Sequence, residues 1–213
     1  MYNTIRALIE GGKEFVLFDL ETTGFNPKSY NKDGDPRVAD MPIQISAIKC
    51  YLKVENGKIT IREVGAFDRY INIHRPLPPE IVEITGITDV FLKEHGDEEE
   101  DVYKCWADFL VNISFVAGYN SNFDISFVDY MAQRYGGEFE PRLNLDVMRM
   151  ARHFIPKSDI PNHKLGTVAE FYGIDANFHN AMEDVKATKE LLEIFINKYV
   201  NEDSVYINNF INK

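Results

Sequence analysis

The sequence predicts an α/β fold in which a mixed β-sheet is flanked by α-helices. Residues Phe15 to Glu21 are apolar on both faces until the end of the run, a pattern typical of a central strand covered on both sides. The first third of the chain is a meander of strand-like segments, and helical and strand patterns alternate after it. Because no linker-like segment divides the 213 residues, we expect a single domain over residues 1–213.

The remaining strands are predicted from apolar and β-branched runs bounded by turn residues. Ile43 to Val54 predicts the second strand, and Asn56-Gly57 after it is a signal for a tight hairpin turn. Lys58 to Ile73 then predicts one or two further strands. Two later segments have the same character, Ser114 to Tyr119 and the short Leu143 to Asp146.

Helical periodicity predicts the other elements of the core. The predicted helices are Leu77–Glu83, Asp101–Asn112, Asn122–Tyr135, a helix ending near Pro156, Lys164–Tyr172 with Gly173 as its stop, and Ala181–Val200. We expect Asp97 to Asp101 to be a solvated helix start, because negative charge is favourable at a helix N-terminus. An N-terminal segment over residues 1–12 and a tail over residues 201–213 flank this core.

The composition excludes some classes of protein and leaves others open. The chain has 34 Asp and Glu against 23 Lys and Arg, a formal charge of −11, which argues against a broadly basic nucleic-acid-binding surface. It leaves open an enzyme that meets phosphates through bound cations. The two cysteines form no disulfide framework, no apolar run approaches the ~20 residues of a transmembrane helix, and no signal peptide is recognisable. We therefore expect a soluble cytoplasmic protein without membrane contact.

The first chemical motif is Asp19-Leu20-Glu21-Thr22-Thr23-Gly24. Side chains alternate along a strand, so Asp19 and Glu21 point to the same face, in line with Phe15 and Leu17. Two carboxylates so placed repel each other, and a hard cation such as Mg²⁺ or Mn²⁺ would convert this cost into a gain. Taken alone, the pair is equally compatible with a strand that ends in solvated acids.

A second motif runs from Gly118 to Asp124, where a strand passes into a helix. Asp124 falls in the first turn of that helix, where free backbone N–H groups stabilise a carboxylate. An acid at this position is also common simply because it stabilises the start of a helix. Its neighbour Phe123 has the character of a core residue more than of a base-stacking surface.

A third motif is His179-Asn180-Ala181-Met182-Glu183-Asp184. Asn180 followed by Glu183 resembles a capping box, which makes Asn180 the N-cap and brings positions 179 and 184 together. A histidine beside a carboxylate is a sensible general base next to a metal ligand. A surface histidine at a helix start is the alternative interpretation.

Together the three motifs resemble the DEDDh family of 3′–5′ exonucleases, which have a ribonuclease H-like fold. Outside the motifs, Ile84 to Asp89 and Lys164 to Ile174 also look like family segments, so the resemblance covers roughly Phe15 to Tyr199. It is strongest to the proofreading (epsilon-type) subunits and domains of bacterial replicative DNA polymerases. The residues that carry it are Asp19, Glu21, Thr22, Thr23, Gly24, Asn120, Phe123, Asp124, His179, Ala181 and Asp184.

The resemblance implies a two-metal mechanism. Asp19, Glu21, Asp124 and Asp184 would hold two divalent ions, Mg²⁺ or Mn²⁺, with Asp19 as the bridging ligand, and His179 would be the general base for water. Cleavage at a 3′ end would release nucleoside 5′-monophosphates. The residues expected to bind the terminal nucleotide are Thr22, Thr23, Gly24, Asn120 and Phe123. Single-stranded or frayed DNA ends are favoured as substrate, with a polymerase as a possible partner.

Two departures from the family pattern concern substrate choice. Asn26 to Asp40 resembles an insertion in a polar loop, and Gln44 stands where many members carry an acid. Three alternatives stay open: an RNA exonuclease, a catalytically silent module that binds nucleic acid or a polymerase, and a small-molecule phosphoesterase. The sequence predicts no oligomeric state.

Overall fold

The fold is taken from a computed structural model that describes most of the chain. The described residues are 13–28, 38–56, 58–113, 115–141, 143–175, 178–202 and 211–212. Four predicted features therefore lie wholly or partly outside them. These are the N-terminal segment, the middle of the Asn26–Asp40 insertion, the turn residue Gly57 and most of the C-terminal tail.

The described strands form one mixed sheet with the order β3-β2-β1-β4-β5-β6. β1 pairs antiparallel with β2 and parallel with β4, and β4 is parallel to β5. The carboxyl ends of β1, β4 and β5 therefore meet at one edge of the sheet. The strands are β1 Phe15–Thr22, β2 Pro42–Glu55, β3 Lys58–Tyr70, β4 Phe115–Gly118, β5 Leu143–Asp146 and β6 Ile211–Asn212.

Helices cover both faces of this sheet, as the apolar pattern of the first strand predicts. Their bounds are α1 Pro79–Thr85, α2 Asp89–His95, α3 Glu99–Phe109, α4 Asn122–Arg134, α5 Val147–Phe154, α6 Leu165–Phe171 and α7 Ala181–Glu202. Together with the strand order, they confirm the predicted mixed sheet flanked by helices.

The β1 strand separates two hydrophobic cores. Phe15 and Leu17 pack on one face with buried residues of α5, α6 and α7, such as Leu192. Val16 and Phe18 pack on the other face with buried residues of α3 and α4. All four side chains are at most 1% exposed, which explains why the strand carries no polar alternation before Asp19.

Most predicted elements are present with shifts of a few residues at their ends. The hairpin between β2 and β3 pairs Glu55 with Lys58, and Asn56 adopts a left-handed φ of 50°, as a two-residue turn requires. Gly173 has a φ of 71° and stops α6 as predicted. The short helix α2, which is capped by the Thr88 side chain, is not among the sequence predictions.

The prediction that the whole run Asp97–Asp101 is solvated is wrong for one residue. Glu99 is 8% exposed, and its carboxylate pairs with Arg134 and accepts a hydrogen bond from the Tyr135 hydroxyl at 3.0 Å. A buried acid needs such partners, and here they come from the end of α4, 35 residues away in the chain. The sequence run itself contains no sign of them.

Among the residues that the structure describes, no helix is both long enough and apolar enough to span a bilayer. The two cysteines are free thiols, Cys50 buried and Cys105 exposed.

Candidate active site

Three carboxylates converge at the carboxyl end of β1. Asp19 and Glu21 lie on one face of the strand, and Asp184 lies in the first turn of α7, which packs across that face. One carboxylate oxygen from each residue lies within 4.8 Å of the others. At this separation and an effective dielectric constant of 20, two full charges repel by about 3 kcal/mol. The cluster is therefore costly when it is ionised and uncompensated.

Asp124 is the fourth acid of the predicted set and approaches from α4. It is 3% exposed, and its carboxylate accepts hydrogen bonds from the backbone N–H groups of Leu20 and of Asp124 itself. Burial raises the pKa of this carboxyl well above its usual range, against the effect of those two donors. The bond to Leu20 ties the first turn of α4 directly to the strand between Asp19 and Glu21.

The electrostatic cost appears in the pKa values of the other three acids. Burial and the charges of Asp124, Asp184 and Glu21 raise the pKa of Asp19 well above its usual range. Burial, and then the charge of Asp184, raises the pKa of Glu21 to about 7. Burial raises the pKa of Asp184 to about 6, although the backbone N–H of His179 donates to it. Full ionisation near neutral pH therefore requires positive charge in the cluster.

The donor set fits a divalent cation. The Oδ1 atom of Asp184 is buried and has no hydrogen-bond partner among the described residues, although buried carboxylate oxygens are normally paired. The ligand atoms that Asp19, Glu21 and Asp184 offer are all carboxylate oxygens, the ligand type that Mg²⁺ and Mn²⁺ prefer. Asp19, Glu21 and Asp184 are thus the residues that would hold a metal ion together, with Asp124 joined through its Coulomb interactions with Asp19 and Glu21.

His179 precedes α7 and is exposed. The predicted cap is present: the Asn180 side chain accepts from the backbone N–H of Glu183 at 3.2 Å. Position 179 also meets position 184, but the contact runs from the His179 backbone N–H to the Asp184 carboxylate. His179 has a left-handed φ of 69°, and strained non-glycine residues of this kind cluster at functional sites.

The segment Thr22-Thr23-Gly24 is held tightly by its own hydrogen bonds. The Thr22 hydroxyl donates to the Gly24 carbonyl at 2.7 Å, and Thr23 exchanges hydrogen bonds with the Met41 backbone at 2.9 and 3.0 Å. A Cβ atom on Gly24 would lie 2.6 Å from the Asp40 carboxyl carbon, so a larger residue here would require the Asp40 side chain to move. Both threonine side chains are buried and shape the loop that follows the acid pair.

Arg75 fastens the end of the insertion to this loop. Its Nη2 donates to the Ala39 carbonyl at 2.6 Å and reaches the Thr23 hydroxyl at 3.4 Å. The Asp40 side chain closes the other end by accepting from the Asn26 backbone N–H at 2.9 Å. Sequence reasoning missed Arg75, because nothing in its neighbourhood distinguishes it from a surface arginine.

Two aromatic residues adjoin the acid motifs in the chain, Phe25 after Gly24 and Phe123 before Asp124. Phe123, in the first turn of α4, is partly buried and packs on Phe127 at a centroid distance of 4.9 Å. Phe25 is 90% exposed and meets Phe123 edge-on at 6.3 Å. Asn120 is exposed in the turn before α4, with a left-handed φ of 61°. Phe25 was missed, although an aromatic residue within a polar loop next to a motif is a readable signal.

Gln44 occupies the position next to Glu21 on the neighbouring strand β2. It is fully buried, and its Nε2 donates to the Asp68 carboxylate at 3.0 Å, which also accepts from Ser46 at 2.8 Å. A neutral amide at this position adds no further negative charge to the cluster. Gln44 therefore adds no acid to the four carboxylates that the sequence predicts for the site.

The sheet order and the carboxylate cluster define an α/β protein of ribonuclease H-like architecture with a group of acids at the carboxyl end of its central strand. The structure resembles a crystal structure of Escherichia coli Exonuclease I in complex with a dT13 oligonucleotide. The two superpose with a TM-score of 0.70 and 19% identity over 89% of this chain and 42% of that one. At this identity the likeness shows the fold.

The sequence comparisons identify the family. The profile of the RNase_T family, described as Exonuclease, matches residues 16–192, and the chain belongs to this exonuclease family of nucleases. The PolC-type DNA polymerase III of Caldanaerobacter subterraneus is 34% identical over 186 residues, and that of Bacillus subtilis 31% over 194. The matches cover 87% and 90% of this chain but only 12% of each polymerase. The resemblance to DEDDh exonucleases is thereby confirmed.

Proposed function

We propose that the chain is a 3′–5′ exonuclease that hydrolyses the terminal phosphodiester of single-stranded or frayed DNA 3′ ends and releases nucleoside 5′-monophosphates. One observation carries the proposal. Carboxylate oxygens of Asp19, Glu21 and Asp184 lie within 4.8 Å of one another, and one buried Asp184 oxygen lacks a partner. A cluster of this kind within an exonuclease fold is suited to phosphodiester hydrolysis with divalent cations.

The four acids would share the work of holding two divalent ions, Mg²⁺ or Mn²⁺. Asp19 is the natural shared ligand, because it interacts electrostatically with all three other acids. When bound, the ions neutralise charge on the phosphodiester and lower the pKa of water. With the ions bound, the buried Asp124 and the partly buried Glu21 would stay ionised, and their carboxylates would help to position the ions.

His179 would act as the general base for the attacking water. It is exposed and therefore accessible to a water molecule, and histidine is the side chain that most often serves as a general base. The hydrogen bond from its backbone N–H to Asp184 fixes the main chain at position 179. The base would thus be held at a constant place relative to the acid cluster.

The terminal nucleotide would lie against the two rings and the loop after β1. Phe25 offers an exposed face for base stacking, supported from behind by its edge contact with Phe123, and such stacking is tolerant of sequence. Thr22, Thr23, Gly24 and Asn120 would border the sugar and phosphate. With a formal charge of −11, the chain would grip long polymers weakly and salt-sensitively.

Delivery by a partner fits this weak grip. The PolC-type relatives are polymerases that contain a matching region, so a DNA polymerase is the partner that we propose. The solved relative was crystallised with an oligonucleotide of deoxythymidine, which favours DNA over RNA. We also propose that the protein is located in the cytoplasm.

The decisive experiment is a digestion with 3′- and 5′-labelled single-stranded DNA and RNA in Mg²⁺ or Mn²⁺. We expect DNA to shorten from its 3′ end with release of 5′-monophosphates. Asp19→Ala and Asp184→Ala should abolish this activity while circular dichroism stays unchanged. Exposed Glu138→Gln is the control and should cleave normally.

Other outcomes would point to the alternatives. Faster loss of the RNA label would indicate an RNA exonuclease, and DNA binding without cleavage would indicate a catalytically silent module. Degradation that persists in both purified alanine variants would contradict the assignment of the metal site.

A further inference from the structure

The carboxyl end of β5 carries two buried polar side chains that neither the motifs nor the mechanism uses. Asn144 and Asp146 are 4% and 3% exposed. They lie on the same face of β5, which is parallel to β4 and pairs Asp146 with Gly118. Both side chains therefore reach the turn that follows β4, and this turn leads into Asp124.

Asp146 holds the first residue of that turn. Its Oδ1 accepts hydrogen bonds from the backbone N–H groups of Asn120 at 3.0 Å and Met148 at 2.9 Å. Asn120 adopts a left-handed φ of 61°, which is uncommon for non-glycine residues, although asparagine adopts it more readily than most. The bond from Asn120 to Asp146 is the restraint that the structure supplies.

Asn144 holds the next two residues. It accepts from the Ser121 hydroxyl at 2.7 Å, and its amide donates to the Asn122 side chain at 2.9 Å. Ser121 precedes α4 but does not cap it with its side chain, because its hydroxyl is committed to Asn144. The turn is thus secured from β5 and not by the usual local cap.

Close packing leaves the turn little room to move. A Cβ atom on Gly118 would lie 2.9 Å from the Phe18 carbonyl oxygen and 3.1 Å from the Ser121 Cβ. Asp124 follows in the first turn of α4 and is bonded to the Leu20 N–H. Because the turn leads directly into the first turn of α4, a turn that loses its restraint from β5 would displace Asp124 relative to the other acids.

We propose that Asp146 is a positioning residue for Asp124, with Asn144 as its support. The inference rests on the proposed function, in which Asp124 helps to hold divalent ions. Asp146 contributes through its hydrogen bonds from backbone N–H groups, above all that of Asn120, and not by touching metal or substrate. Displacements of about 1 Å in such sites reduce rates by about 10²-fold.

The test compares Asp146→Ala and Asp146→Asn with a matched control. Asp129→Ala is the control, because Asp129 lies in the same helix α4 and also accepts a backbone N–H, that of Phe139 at 3.1 Å. Mn²⁺ binding to the metal-free protein is measured by electron paramagnetic resonance. Steady-state rates on single-stranded DNA and urea unfolding complete the comparison.

We expect Asp146→Ala to weaken Mn²⁺ binding at least 10-fold and to lower kcat by about 10²-fold, with a smaller effect on KM. Asp146→Asn should recover most of both, since an amide oxygen still accepts from Asn120. Asp129→Ala should lose stability yet bind Mn²⁺ as the wild type does.

The outcomes separate this inference from the proposed function. If the wild type binds Mn²⁺ and folded Asp146→Ala binds it equally well, the positioning role is refuted and the metal site stands. An Asp146→Asn variant as defective as Asp146→Ala also refutes it, because charge and not hydrogen bonding would then matter. If the wild type binds no Mn²⁺, the proposed metal site and this inference fail together.

Discussion

The metal-free protein should lose stability as the pH rises from 4 to 8. Four acids are packed at the end of β1, and burial raises the pKa of each of them. An acid whose pKa is raised by folding binds its proton more tightly in the folded state than in the unfolded chain. Between the two pKa values the unfolded state therefore holds fewer protons, and the free energy of unfolding falls with increasing pH.

The contribution of Glu21 to this loss of stability can be calculated from its pKa. Its pKa is raised from the ordinary value of 4.5 to about 7. At 1.36 kcal/mol per pKa unit, this one residue lowers the free energy of unfolding by about 3 kcal/mol once the pH exceeds 7. The contribution begins to be lost near pH 4 and is fully lost above about pH 7.

Urea unfolding in EDTA between pH 4 and pH 8 measures this directly. Glu21→Gln keeps the shape of the side chain and removes its charge, so its pH dependence should be smaller than that of the wild type by about 3 kcal/mol. Exposed Glu138→Gln should retain the full wild-type dependence. Saturating Mn²⁺ should stabilise the wild type most at the high end of the range, because it binds the ionised folded state. Identical pH dependence in Glu21→Gln and wild type would refute the argument.

Three further variants test the neighbourhood of the cluster. His179→Ala should lower kcat by roughly 10²–10⁴-fold, the range for loss of a general base; an unchanged kcat would exclude that role. Phe25→Ala should raise KM for single-stranded DNA, since stacking on an aromatic ring contributes about 1–3 kcal/mol per base, and a normal KM would show that the base lies elsewhere. Asn180→Ala removes the bond to the Glu183 N–H and should lower the free energy of unfolding in urea by about 1 kcal/mol. An unchanged free energy of unfolding would show that another group caps α7.

The local patterns in the sequence were sufficient for the elements that bear the site. An apolar run that ends in Asp19 and Glu21 predicts a buried strand with both acids on one face, because side-chain alternation is a property of the strand itself. In the same way Asn180 followed by Glu183 predicts the start of α7. Such features depend on residues that are close in the chain, and the structure agrees with each of them.

Contacts between residues that are distant in the chain could not be predicted from the sequence. Glu99 is buried because Arg134 and Tyr135 meet it from another helix, whereas its own neighbours are exposed acids. Arg75 belongs to the loop after β1 only because the fold brings it to Ala39 and Thr23. Neither contact leaves a trace in local composition, since hydrogen bonds of this kind require only that the two groups meet.

The sequence by itself determined which acids could form the site, since residue type and position within each element place Asp19, Glu21, Asp124 and Asp184 at element ends. Only the tertiary structure decided how closely they approach and how they are held. The parallel pairing of β1, β4 and β5 brings three strand ends to one edge, and there Asp146 meets the turn that carries Asp124. Burial at that edge raises the pKa values of the acids, because desolvation is a property of the assembled fold and not of any segment.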